Sequence, residues 1–220
     1  MKKIFTILLI MPLIWACSSS DSDNSNEISL KDKEITLNAS DTYQIEAGLS
    51  GLSYSTDNDD VAMVNSKGLV TAMFVGETDI IIKQGSKIAR LKVVVEPKHH
   101  LYETPSLKFG TTSRDNIIKE FGKPSIDNGE SISYVISGKP ISNIMYLFDD
   151  DMKLRSSSVI VKSAYAKNLI PFLTERYFPI SIKELMFANS INPNKVTMFV
   201  SLSVIENAST LVMYYPYKDK

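Results

Sequence analysis

The sequence is poor in the side chains that most often carry out chemistry. Its 220 residues include one cysteine, two histidines and one tryptophan. A single cysteine excludes an intramolecular disulfide, so apolar cores must stabilise the chain. The two histidines are the neighbours His99 and His100, which gives nucleophilic catalysis few bases to use. The sequence therefore predicts a protein that is not an enzyme.

The chain also lacks an excess of one charge and, past its N-terminal region, a long apolar run. There are 24 basic and 25 acidic side chains, a formal charge of -1. Such a surface does not neutralise phosphates, which argues against a nucleic-acid partner. No later apolar run reaches the roughly 20 residues that a membrane-spanning helix needs. The nine glycines are dispersed and form no phosphate-binding loop, and we predict no cofactor.

Residues 1–16 have the pattern of a secretory signal peptide. Lys2 and Lys3 precede an apolar run over residues 4–15, and Ala16 and Cys17 follow. This order resembles the bacterial lipoprotein signal, which ends in a cysteine that is acylated when the leader is removed. The resemblance implies lipid on Cys17, although Trp15 departs from the small or aliphatic residue usual there. The alternative is a buried thiol in an N-terminal helix.

Residues 17–27 are predicted to be a lipidated, disordered tether, because nothing between 18 and 27 can enter a core. Removal of the leader leaves 22 basic and 25 acidic side chains, a formal charge of -3. The acidic stretch with Asp21 and Asp23 resembles the export signal of Bacteroidetes surface lipoproteins. A solvated spacer on a periplasm-facing protein is the alternative. The predicted location is the outer membrane, at the cell surface or on the periplasmic face.

Between residues 28 and 96 apolar side chains recur every second position, as in Ile80 and Ile82 or Leu91, Val93 and Val95. Alternation of this kind, interrupted by frequent turn residues, is typical of half-buried antiparallel strands. The segment is therefore predicted to be a small β-sandwich.

The centre of this segment has a more specific pattern. Tyr54 is followed by Val-Ala-Met-Val at 61–64 and by Gly-Leu-Val-Thr-Ala at 68–72. This order is similar to group 2 bacterial immunoglobulin-like domains, with Tyr54 at a position where tryptophan is frequent. The resemblance implies an immunoglobulin-like sandwich of the kind used as spacers and adhesive modules on bacterial surfaces. We also expect Gly68 to adopt positive φ, so that Val64 and Val70 face one core.

Two polar clusters invite a metal hypothesis, and both have a simpler interpretation. Asp57, Asp59 and Asp60 lack the internal glycine and the following glutamate of a calcium loop, which favours a solvated turn. His99 and His100 point apart in an extended chain and have no completing ligand set. We therefore interpret residues 97–106 as an exposed linker and predict no metal site.

Residues 107–220 combine helix and strand patterns. A capped helix is predicted at 112–124, ending at Gly122, and a second at 166–178 if Pro171 lies in its first turn. Hairpins follow each helix, the first turning at Asp149, Asp150 and Asp151, and residues 182–188 fit either a short helix or a strand. The predicted fold class is thus multidomain: an all-β immunoglobulin-like sandwich followed by an α+β domain built from two helix-plus-antiparallel-sheet halves.

The opening of this second domain also has a family resemblance. Residues 109–124, from Phe-Gly-Thr-Thr to Phe-Gly-Lys-Pro, are similar to the repeats of SmpA/BamE-type outer-membrane-assembly lipoproteins and of β-lactamase inhibitor proteins. The second half lacks the terminal glycine. The resemblance implies protein binding through a sheet face and transfers no catalytic residue.

Aromatic side chains on the predicted strands are the candidate binding residues. Tyr146 and Phe148 should share one face, as should Tyr215 and Tyr217. We predict an envelope-anchored lipoprotein acting as a non-catalytic binding or adhesion module, with a protein or glycan partner. An inhibitor or assembly scaffold and a glycan-binding or glycan-processing accessory protein are the alternatives.

Overall fold

The computed structural model describes residues 28–217. The predicted signal peptide, the lipidated Cys17 and the tether lie outside the described residues. The described part of the chain contains fifteen strands and two α-helices, and 45% of the described residues are in strands and 14% are helical.

Residues up to 96 form two packed sheets. One has the order β1-β7-β6-β3 and the other β2-β5-β4, and β1 alone pairs in parallel, with β7. Burial alternates along β6 and β7, where Ile80, Ile82, Leu91 and Val93 are at most 1% exposed. The predicted sandwich of two packed sheets is confirmed. The seven strands are β1 (Glu34–Asn38), β2 (Thr42–Gln44), β3 (Ser53–Thr56), β4 (Ala62–Val64), β5 (Leu69–Ala72), β6 (Gly76–Gln84) and β7 (Lys87–Glu96).

Gly68 shows why the sequence motif requires a glycine. Its φ is +78°, as expected, and a Cβ there would lie 2.8 Å from the ring of Tyr54. The missing side chain thus permits both the turn and the close approach of an aromatic ring. Val70 is fully buried opposite its cross-strand partner Val64, and both pack in the sandwich core.

The remaining strands form one eight-stranded antiparallel sheet with the order β12-β13-β14-β15-β11-β10-β9-β8. Two four-stranded meanders, β8 to β11 and β12 to β15, meet where β11 pairs with β15. The strands are β8 (Ile126–Asp127), β9 (Ser131–Val135), β10 (Ile141–Phe148), β11 (Leu154–Val161), β12 (Phe178–Ser181), β13 (Met186–Ala188), β14 (Met198–Val204) and β15 (Thr210–Pro216).

The predicted fold class of residues 107–220 is wrong. All eight strands belong to a single sheet, and the two α-helices have only 8 and 6 residues, so the domain is not built from two helix-plus-sheet halves. Both helices pack on the same face of the sheet. The prediction failed because a pattern of helical spacing does not fix helix length, and because the β11 to β15 pairing joins segments about 50 residues apart.

Helix α1 (Arg114–Phe121) begins and ends close to the predicted positions. Ser113 and Asn116 form a reciprocal capping box, and Gly122 ends the helix with a φ of +81°. Ile117 is fully buried against the sheet.

Helix α2 (Leu169–Thr174) is much shorter than predicted. A 3₁₀ turn over Ser163–Asn168 precedes it, and Pro171 lies in its first turn as required. Phe172 and Leu173 are fully buried among Val200, Tyr214 and other residues of the central strands. Residues 186–188 are a strand, which decides between the two readings of 182–188.

Residues 97–106 are irregular, as predicted, but they are not a free linker. Leu101 is buried, and the hydroxyl of Tyr102 lies 2.7 Å from that of Tyr214 in the sheet core. The connection is therefore packed against the domain that follows it.

Candidate functional site: the open face of the eight-stranded sheet

The two faces of the eight-stranded sheet have different surroundings. One packs beneath α1 and α2 and contributes to two apolar cores. Residues of the opposite face belong to none of the core clusters in residues 28–217. We call this second set the open face.

The open face carries no charged side chain at its paired strand positions. The ladder registers and the alternation of each strand place the following residues on it: Ile126, Ser131, Ser133, Val135, Asn143, Met145, Leu147, Ser156, Ser158, Ile160, Phe178, Ser181, Met186, Ala188, Phe199, Ser201, Ser203, Leu211, Met213 and Tyr215. Apart from Asn143, these are apolar and small hydroxyl side chains, and they extend across the whole width of the sheet.

Large and small side chains alternate from strand to strand. One cross-strand row follows the register through all eight strands, in the order Ile126, Ser133, Met145, Ser158, Met213, Ser201, Met186 and Ser181. Met145 and Leu147 on β10 and Leu211, Met213 and Tyr215 on β15 therefore form two ridges of long side chains. Ser156 and Ser158 of β11 form a serine furrow between them. Because neighbouring strands lie about 4.8 Å apart, the ridges are roughly 10 Å apart.

The furrow is narrow in the isolated chain. Ser156 and Ser158 are 7% and 8% exposed, which indicates that the longer flanking side chains cover them. Larger exposure lies toward the β8 edge, where Ile126 is 58% and Val135 56% exposed. A partner would thus meet methionine, aliphatic and aromatic atoms first.

An aromatic group occupies one end of the open face. The ring of Phe199 lies 6.0 Å from that of Tyr215 and 5.2 Å from that of Tyr217, centroid to centroid. Tyr215 is half-buried and Tyr217 is 44% exposed. These two predicted binding residues therefore lie together at the surface, and Phe199 joins them.

The other two predicted binding residues lie in the core. Tyr146 and Phe148 share a face, as expected, but it is the covered one, and they are 1% and 3% exposed. Burial raises the pKa of Tyr146 to about 12, with the backbone of Ser106 opposing the rise. Ile117 of α1 packs in the same cluster, so these side chains stabilise the fold.

Sequence reasoning missed Met145, Met213 and Ser158, the centre of the open face. A sequence signal for Met145 and Ser158 exists within their own strands: residues 143–147 and 156–160 contain no charged side chain. Their meeting depends on the β11 to β15 register, which no local pattern specifies.

The junction between the sandwich and the eight-stranded sheet contains a second concave region. A cleft of about 620 Å³ lies there, with apolar walls that include Val75, Leu101 and Ile141 and a charged rim that includes Lys139 and Glu103. Its volume is within the range of small-molecule sites.

Glu175 and Asp60 make polar contacts at this junction. Glu175 accepts hydrogen bonds from the backbone N–H of His99 at 3.0 Å and from the His99 ring at 2.8 Å, while its own carbonyl accepts from Val75 N–H at 2.8 Å. Asp60 of the sandwich accepts from Ile191 N–H at 2.8 Å and from the Ser190 hydroxyl at 3.0 Å. The sandwich is thus docked through partly buried polar contacts.

The charges at the junction respond to these contacts. Burial by itself raises the pKa of Glu175, but the hydrogen bonds and charge of His99, with the Lys98 N–H, outweigh it and hold the pKa below its usual value. A hydrogen bond from Lys195 lowers the pKa of Asp59, at an Nζ to Oδ1 distance of 2.7 Å.

The two aspartate clusters have different outcomes. Asp149 accepts backbone hydrogen bonds from Asp151 and Lys153 and is a turn residue, as predicted. The solvated turn expected at 57–60 is wrong for Asp60, which binds the other domain. Within residues 28–217 no group of three or more His, Cys, Asp or Glu could hold a metal ion.

Among residues 28–217, no helix is both apolar enough and long enough to cross a membrane.

Comparison with known proteins gives fold-level likenesses at most. No protein-family model matches the sequence, and no curated protein matches it. A bacterial Ig-like domain containing GH10 xylanase from termite gut is 26% identical over 34% of this chain and 22% of its own length, with a TM-score of 0.27. The chain thus spans about a fifth of that xylanase.

Two other solved structures are similar over more of the chain. Domains 4 and 5 of the S-layer protein SbsC are 15% identical over 88% of this chain and 89% of their own, with a TM-score of 0.29. The C-terminal domain of TagH is 14% identical over 76% of this chain and 97% of its own, with a TM-score of 0.27. TM-scores at this level do not establish a common fold for the whole chain.

Proposed function

We propose that the protein is a non-catalytic binding module of the cell surface, lipid-anchored to the outer membrane through Cys17, which recognises a protein partner with its open face. The single observation that carries this proposal is the absence of charge at the paired strand positions of one face of an eight-stranded sheet.

The composition of the open face supports a protein partner. The centres of protein interfaces are depleted of charged residues and enriched in methionine and aromatic side chains. Met145, Met186 and Met213 lie in one row of the face, and methionine adapts its shape to what it contacts because three of its bonds rotate.

The outer face of the sandwich provides a comparison within the same chain, because it is a solvent-exposed sheet face. The outer face of the four-stranded sandwich sheet carries ion pairs, such as Lys92 with Glu77 at 3.2 Å and Arg90 with Asp79 at 3.2 Å. The open face has no such pairs, which is the expected difference between a solvated surface and an interface.

A glycan partner is the second candidate, and the aromatic group of Phe199, Tyr215 and Tyr217 favours it. Exposed aromatic rings with a polar hydroxyl edge suit sugar contact as well as protein contact. The inhibitor or assembly-scaffold alternative depended on the α+β fold class and loses that support with its correction.

Photo-cross-linking in cells tests the proposed surface. Cells that incorporate photo-methionine should give cross-links to a partner from Met145, Met186 and Met213. Met63 and Met152 are matched controls, because they are each 45% exposed but lie outside the open face. Cross-links confined to the two controls, or glycan-array binding with no protein captured, would contradict a protein partner at this face.

The anchor has a separate test. Labelled palmitate should enter the wild-type chain and not the Cys17→Ala variant, and protease treatment of intact cells should remove the wild-type protein. Undiminished labelling of the variant would refute the anchor, and full protection from protease would refute the surface location.

A further inference from the structure

The partner of the open face can be specified further from the chemistry of that face. This step rests on the proposed function, because it names what the same surface binds. Three observations bear on it: the charge of the face, its size and its corrugation.

Charge decides which partners the face can accept without cost. In a symmetric contact between two copies, groups near the two-fold axis face their own counterparts. A charged group there would oppose a like charge, which is unfavourable when buried. The central residues Met145, Ser158 and Met213 carry no charge, so the groups nearest a two-fold axis through them do not repel each other.

The size of the face matches a stable association. Strands β9, β10, β11, β15 and β14 are adjacent and have 5 to 8 residues each. At about 4.8 Å between strands and 3.3 Å per residue, they cover roughly 550 Å² in projection. Two such faces together would bury more than about 1,000 Å², the size that a specific interface needs.

The corrugation provides the fit. A second copy would present ridges with the same spacing of roughly 10 Å, set by the same two-strand repeat. Met145 and Met213 flank Ser158 on its two neighbouring strands, and their flexible side chains can swing aside to admit a ridge into the serine furrow.

We infer that the partner of the open face is a second copy of this chain, and that two copies pack sheet against sheet through their methionine ridges and serine furrows. The rims of the contact are the β8 edge near Ile126 and the aromatic group near Tyr217.

Light scattering on the purified mature chain carrying Cys17→Ala tests this inference. The wild-type surface should shift from the monomer mass to twice that mass as concentration rises. Met213→Lys should weaken the association by at least about 100-fold, because it buries an unpaired charge in the contact. Met63→Lys places the same change on the sandwich and should leave the association unaltered.

Folding is checked separately, by circular dichroism and the thermal midpoint of each variant. If Met213→Lys fails to fold, Leu147→Lys decides the matter, since Leu147 lies on the neighbouring ridge and is already 36% exposed. Dimers that persist in a folded open-face lysine variant overturn the inference.

Isotope mixing separates failure of this inference from failure of the proposed function. Cross-links between light and heavy photo-methionine chains at Met145 and Met213 support self-pairing. A wild-type chain that stays monomeric at every soluble concentration overturns the inference, while capture of another protein by the same methionines in cells leaves the proposed function intact. No cross-link of any kind from these positions refutes both.

Discussion

The outer face of the four-stranded sandwich sheet and the open face of the eight-stranded sheet are built differently. The outer face of β1, β7 and β6 holds Glu34, Glu77, Asp79, Arg90 and Lys92, and each of these five takes part in an ion pair. The open face of the eight-stranded sheet has no charged residue at its paired strand positions, and so no ion pair there. The chain therefore has a charged outward sheet face and an uncharged one, and the two differ in charge rather than in strand geometry.

The largest effect should come from the face that both helices cover. Phe172→Ala removes a fully buried ring and should lower the free energy of unfolding by about 3–5 kcal/mol, because a cavity remains. Phe178→Ala is the matched control on the open face, where the ring is 40% exposed, and should cost less than about 1 kcal/mol. Urea denaturation measures the free energy of unfolding of both variants. Equal losses would contradict the conclusion that one face is covered and the other open.

Docking of the two domains should have the next largest effect. Asp60→Ala leaves the Ile191 N–H and the Ser190 hydroxyl without their acceptor, at a cost of about 1–3 kcal/mol. Limited proteolysis should then cut near residues 97–106, which the wild-type chain protects. Asp150→Ala removes an exposed aspartate from the other cluster and should leave both stability and cleavage unchanged.

Acid should loosen the same junction through Glu175. Because the folded-state pKa of this carboxyl lies below the usual 4.5, its ionised form contributes stability above that pH. The contribution is lost as pH falls through the folded-state pKa, when the proton displaces the hydrogen bonds from His99. The unfolding midpoint of Glu175→Gln should vary less over this acidic range than that of the wild type. Parallel pH profiles for the two proteins would contradict this role.

The smallest effect on stability should come from replacing a charged residue on the outer face of the sandwich with an apolar one. Lys92→Met removes a charge from the sandwich face, and the thermal midpoint should stay within error, because exposed ion pairs contribute little. Self-association of this variant should equal that of the wild type, since one methionine does not create a corrugated face. Stronger self-association of this variant would mean that loss of charge alone is enough to create an association surface.

Local patterns predicted those parts of the structure that local physics decides. The two-residue period gave the sandwich strands, the caps around Ser113 and Gly122 gave α1, and strand alternation paired Tyr215 with Tyr217 on one face. Each depends on interactions between residues close in sequence.

The missed features depend on residues far apart in the chain. Asp60 and Ile191 are 131 positions apart, and β11 and β15 meet only after the intervening meander returns. Tyr146 was expected at a binding surface because alternation groups side chains on a face without saying which face the helices cover. Only the packing of Ile117 decides that question.

The parallel pairing of β1 with β7 determines how the sandwich responds to a pull along the chain. Five residue pairs, from Glu34 with Lys92 to Asn38 with Glu96, lie side by side in the same direction. Tension that draws the start of β1 away from the end of β7 loads all of their hydrogen bonds in shear at once, rather than opening them one after another. A module anchored at one end and bound at the other would therefore resist such a force until these hydrogen bonds broke together.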